Sequence, residues 1–172
     1  MEAPEWLDEL FYYEDDEEEE LEELRRMSGE PLSVCECCGG KSKVYAYRIG
    51  CYARVLCWMA VNSTQGEYLH VPSSGAINGG GDYAKLRYWN LIEKSPINPD
   101  PEKKSSGLWK LTPEGREFAQ NKATTNRICY YRKPEGGVLG FEPEQISIVD
   151  CLGKKFNYEE LMTGYFWDNY LR

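Results

Sequence analysis

Polar and apolar positions divide the chain into stretches of different period. From Lys41 to Arg48 the order Lys-Ser-Lys-Val-Tyr-Ala-Tyr-Arg alternates and is rich in Tyr and Val, which predicts a strand leaving a tight Cys-Gly turn at Cys35–Gly39. Residues 51–61 are apolar nearly all round, as suits a buried helix, and Asn62-Ser-Thr-Gln-Gly66 ends it. Tyr68–Pro72 reads as short and extended, since the residue before a proline avoids the helical region.

The clearest local signal lies at 78–93. Asn78-Gly-Gly-Gly81 predicts a turn with Asp82 as helix N-cap, and the helix Tyr83–Trp89 groups Tyr83, Leu86 and Trp89 on one side. Asn90 suits a left-handed C-terminal position, and Leu91-Ile92-Glu93 leaves as an extended piece. A polar loop at 98–107 leads to a strand at 108–111. Thr112 as N-cap with Pro113 in the first turn starts a further helix. In the last third, 127–133 and 138–141 predict a β-hairpin across Pro134–Gly137. Ile146, Ile148 and Val149 extend the β-character, and residues 157–162 suggest a short helix. Tyr165, Phe166, Trp167 and Tyr170 form an aromatic tail suited to packing on the core or sealing a homodimer.

Charge separates the front of the chain from the rest. Thirteen acidic residues and no Lys or Arg lie in residues 1–24, seven of them adjacent at 14–20. All 20 Lys and Arg lie beyond residue 24, against the 16 remaining acids, so a body of formal charge +4 follows an acidic tail. Such a run repels itself and should be poorly ordered in isolation, although Leu21 and Leu24 with Arg25 and Arg26 would suit a short helix. Trp6, Phe11 and Tyr12 beside Glu17, Glu18, Glu19 and Glu20 also fit a recognition element that orders against a basic surface. The chain thus divides into an acidic tail at 1–30, a cysteine turn and strand at 31–49, a body at 50–122, and a hairpin, helix and aromatic tail at 123–172.

Several classes fall away. No run of eighteen apolar residues exists, so no membrane span is expected. The acidic front does not read as a signal peptide, and seven irregularly spaced Cys argue for a reducing compartment, read here as a bacterial host cytoplasm. With 41% hydrophobic residues and 13% aromatics a true core can form.

The order Asp82–Trp89, Asn90-Leu91-Ile92, polar tip, strand and Leu111-Thr-Pro-Glu-Gly-Arg116 resembles the back half of a winged helix-turn-helix domain, and is similar to MarR-like and PadR-like regulators, with Asn90 where those carry Gly. The body from the Cys-x-x-Cys-Gly turn onward also resembles small proteins encoded by phages and prophages. The resemblance implies an α+β fold and DNA contact by a regulator in a phage or mobile-element setting. The helix would carry Lys85, Arg87 and Tyr88 toward the duplex, and Lys103, Lys104 and Lys110 would neutralise phosphates from the wing. Arg87 has the planar fork for guanine. The bland reading is an ordinary solvated face. The alternative is an inhibitor of a basic host protein, with the acidic tail imitating DNA.

Cys35-x-x-Cys38-Gly39 has the shape of half a zinc knuckle, and a structural zinc would need two further ligands among distant residues. Cys37, in an extended turn, can hardly share a side with both neighbours. No strand–Cys-x-x-Cys–helix context supports a redox role, and His70 reads as a hydrogen-bonded structural residue. No catalytic triad can be assembled, so an enzyme is not expected.

Overall fold

A computed structural model describes residues 5–77, 80–134, 136–164 and 167; for residues 5–15 the backbone alone is described. The fold is mixed α+β with antiparallel sheets. The chain forms two compact units, one of Met1–Arg48 with Ile128–Pro143, the other of Ile49–Arg127 with Glu144–Arg172. Among the described residues no helix is long and apolar enough to cross a membrane.

The first unit is a four-stranded sheet with a helix on one face. Strands β1 (Pro31–Val34), β2 (Lys41–Arg48), β7 (Ile128–Lys133) and β8 (Val138–Phe141) lie in that order, all antiparallel. The predicted hairpin is the pair β7–β8, and β2 joins it with Lys43 opposite Lys133 and Arg48 opposite Ile128. This long-range pairing brings the cysteine-turn strand and the C-terminal hairpin, separate regions in the sequence reading, into one sheet. Because side chains alternate between faces, Val44 and Tyr130 share a face, and helix α1 (Glu5–Met27) packs there through Leu21, with Leu24 and Met27 beside it. The acidic segment is ordered against its own chain, and it docks by leucines rather than by carboxylates. Its Arg25 supplies the charge: Nε and Nη2 donate to the two carboxylate oxygens of Glu142 at 2.8 and 2.7 Å, and Nη1 donates to Glu18.

In the second unit, a short 3-10 turn at Cys51–Ala53 runs into α2 (Arg54–Asn62), which packs against α3 (Pro113–Ala119) and α5 (Tyr158–Met162). Val55, Leu56, Met59, Leu86, Phe118 and Leu161 are fully buried. Three strands, β3 (Leu69–His70), β4 (Ile92–Lys94) and β5 (Leu108–Leu111), pair in the order β3-β5-β4. A two-stranded ladder joins β6 (Thr125–Asn126) to β9 (Gln145–Ile146).

Two local expectations need correction. Of the segment predicted to extend the β-character, Ile146 does so in β9, but Ile148 and Val149 enter helix α4 (Ile148–Leu152), because Ser147 accepts a hydrogen bond from the Asp150 amide and caps it, which outweighs their β-preference. Asp82 is not an N-cap. Gly80 holds that position without a side-chain bond, and Asp82 sits inside the first turn, where it pairs with Lys85. Of the aromatic tail, Trp167 is buried and donates to the Leu161 carbonyl, while Tyr165, Phe166 and Tyr170 lie outside the described residues.

Candidate functional site

The segment Gly81–Trp89 is a 3-10 helix. Three residues per turn stack positions i, i+3 and i+6, so Tyr83, Leu86 and Trp89 form one buried edge, the grouping read from the sequence. The same geometry aligns Asp82, Lys85 and Tyr88 on a second edge and leaves Arg87 exposed on the third. Asn90 ends the helix at φ 57° and ψ 30°, the left-handed cap expected of it.

A set of backbone and threonine hydrogen bonds locks this helix to the sheet. Thr112 Oγ1 donates to the Asn90 carbonyl at 2.5 Å and accepts from the Gly115 amide at 2.9 Å, while the Thr112 amide donates to the Leu91 carbonyl. A Cβ at Gly115 would stand 1.8 Å from the Leu91 oxygen, so glycine is required by close approach of α3 to the exit strand. The Leu-Thr-Pro-Glu-Gly signature therefore has a mechanical meaning here: it clamps the end of the 3-10 helix onto β4.

The six residues expected to touch nucleic acid do not have equal freedom. Lys85 pairs with Asp82 at 2.8 Å, Lys103 with Asp100 at 3.4 Å, and Lys110 with Glu93 at 3.6 Å while also lying over the Tyr68 ring. Arg87 lies over Tyr88, its guanidinium 5.1 Å from the ring centroid. Lys103 and Lys104 are exposed in the loop between β4 and β5. His70 Nδ1 shares a hydrogen bond with Ser73 Oγ at 2.7 Å, the structural role expected.

The cysteine turn at the tip of β1–β2 is tighter than the sequence suggested. The Cys35 amide donates to the Gly40 carbonyl at 2.7 Å and the Gly39 amide to the Cys35 carbonyl at 2.8 Å, with Gly39 left-handed at φ 71°. This curl gathers the sulfurs of Cys35, Cys37 and Cys38 within 4.8 Å of one another and corrects the expectation that Cys37 points away. The Cys35 and Cys37 sulfurs are 3.0 Å apart. A hydrogen bond from the Cys37 thiol, with the Cys37 and Cys38 amides, lowers the Cys35 thiol to about 7, and the Cys37 thiol rises in turn. Sulfurs around one zinc stand about 3.8 Å apart, given Zn–S bonds of about 2.3 Å, so this donor set fits a thiophilic ion. The distant cysteines do not contribute in an equivalent state: Cys57, Cys129 and Cys151 are buried, and burial pushes each thiol to about 12. Cys129 lies opposite Tyr47, roughly six residues or about 20 Å along the sheet from the turn.

On α1, Glu17, Glu18, Glu19 and Glu20 are all exposed, while the side chains of Trp6, Phe11 and Tyr12 lie outside the described residues. Glu142 escaped the sequence reading altogether. It accepts from Arg25 and, at 2.6 Å, from the Tyr130 hydroxyl, and Arg25 holds its carboxyl down at about 2. Only the β7–β8 turn back brings it to α1, and nothing local marks it. No protein-family model, curated protein or solved structure matches the chain.

Proposed function

We propose that this chain is a DNA-binding protein, a regulator in a phage or mobile-element setting, whose second unit works as a winged helix. The observation that carries the reading is the sheet order β3-β5-β4, with the 3-10 helix clamped ahead of β4 and a lysine-bearing loop joining β4 to β5. In a winged helix, a helix of this position enters the major groove and the loop flanks it. Arg87 and Lys104 are the exposed cations best placed to meet phosphates or bases. Lys85, Lys103 and Lys110 would exchange a carboxylate for a phosphate, so their contribution is smaller. The short 3-10 helix, and the absence of a second helix between β3 and it among the described residues, mark a departure from the full helix-turn-helix.

The Cys35, Cys37 and Cys38 turn would hold one structural zinc ion, which would stiffen the hairpin tip; a fourth ligand would come from outside the turn. Duplex binding by the full chain tests the reading. A fluorescent random-sequence duplex should bind at about 50 mM salt and weaken steeply as salt rises, and Arg87→Ala with Lys104→Ala should cost about tenfold and reduce the salt slope by about 2. Absence of binding at low salt refutes it.

A second reading has its own observation. Leucines and the Arg25–Glu142 pair hold α1 in place and leave four consecutive glutamates exposed, a fixed array of negative charge suited to a basic protein surface. Replacing Glu17, Glu18, Glu19 and Glu20 by Gln separates the two, since the first reading expects tighter duplex binding and the second expects loss of a basic partner.

A further inference from the structure

The face of the four-stranded sheet away from α1 is built differently from the rest of the molecule. Alternation places Lys41, Lys43, Tyr45 and Tyr47 of β2 on that face, and the register adds Tyr131 and Lys133 of β7, opposite Tyr45 and Lys43. Tyr45 and Tyr47 stack with centroids 5.7 Å apart and planes 4° from parallel, and Tyr131 lies 6.3 Å from Tyr47. The ammonium of Lys43 sits 5.4 Å from the Tyr45 centroid, and that of Lys133 sits 5.6 and 5.5 Å from Tyr45 and Tyr47. Lys133 and Tyr45 are exposed, Tyr45 at 36%. No position in these four strands is Asp or Glu. The acids of α1 belong to a helix that packs against the other face, so the sheet stands between that helix and these lysines.

We infer that this tyrosine–lysine face binds single-stranded DNA, with bases stacking on Tyr45 and Tyr131 while Lys43 and Lys133 meet the phosphates. The choice of occupant follows from chemistry. An apolar partner would strand the ammonium groups, and an acidic peptide would leave the ring faces unused. A duplex hides its base faces in its own stack, whereas an unstacked strand offers planar rings and anions together. The choice of DNA over RNA rests on the function proposed for the second unit; the stacking argument does not.

Fluorescence anisotropy of a labelled oligothymidylate of about 15 nucleotides with the full chain tests this. Binding is expected at about 50 mM salt. Tyr45→Ala should weaken it roughly tenfold and Tyr45→Phe should restore it. Lys43→Ala with Lys133→Ala should lower the salt slope by about 1.4. Tyr45→Ala should leave duplex binding unchanged, so failure here is distinct from failure of duplex binding. The inference falls if the wild type ignores the oligothymidylate, if the Tyr45 and lysine variants bind as well as wild type, or if an oligouridylate or polyglutamate binds more tightly.

Discussion

The two larger sheets keep their lysines in different company. In β3-β5-β4, Lys110 reaches Glu93 across the β4–β5 pair, and the adjoining helix and loop pair Lys85 with Asp82 and Lys103 with Asp100. In β1-β2-β7-β8, Lys43 and Lys133 face one another in register and lie over tyrosine rings, in strands that contain no acid. A lysine already on a carboxylate gains little by moving to a phosphate, because one anion replaces another. A lysine held over a ring gains only a weak attraction from that contact. Counting cations therefore says little about where a polyanion will sit; the partner of each cation says more.

The comparison can be broken most forcefully at its frame. Gly115→Ala sets a Cβ against the Leu91 carbonyl and should destabilise the second unit by about 3 kcal/mol or more, read as a lower urea midpoint. If stability is unchanged, the clamp does not hold the 3-10 helix to β4. Freeing the paired cations comes next: Asp82→Asn with Glu93→Gln should tighten duplex binding by roughly three- to tenfold at low salt. Unaltered affinity would show that those carboxylates do not restrain Lys85 and Lys110.

The thiols sharpen the contrast between an exposed turn and a packed interior. Alkylation of Cys35 by iodoacetamide should show a midpoint near pH 7, while Cys57, Cys129 and Cys151 stay unmodified in the folded chain. Zinc should protect all three turn cysteines, and a chelator should expose them again. A midpoint near 9 would remove the hydrogen-bonded thiolate.

The smallest effect concerns the anchor of α1. The Glu142 carboxyl is lower in the folded chain, about 2, than its ordinary 4.5, so its contribution is fully present above pH 4.5 and is lost as pH falls toward 2. Glu142→Gln should flatten the pH dependence of stability across that window. A variant with the wild-type profile would mean that Arg25 and Glu142 do not hold the helix.

Features set by a few neighbouring residues were open to reading. Asn90 as a left-handed cap, Thr112 with Pro113 as a helix start, the short helix within residues 157–162 and the β7–β8 hairpin each depend on chemistry within a turn or two. The misreadings at Asp82 and Ile148 were also local. They arose where a glycine or a serine competed with the residue that seemed to set the element. The thiol turn was half visible: spacing marked Cys35 and Cys38, but the curl that adds Cys37 needs the Cys35–Gly40 closure.

Alternation along Lys41–Arg48 announced two unlike faces, with Lys and Tyr on one and Val44 and Ala46 on the other. It could not say which face a helix covers, nor that Lys133 would stand beside Lys43, because that pairing joins residues ninety positions apart. Short-range backbone preference speaks for caps, turns and strand period. Strand partners, the anchoring of α1 by Glu142 and the company of each lysine arise only when distant segments bury apolar surface together, and no local pattern encodes that choice.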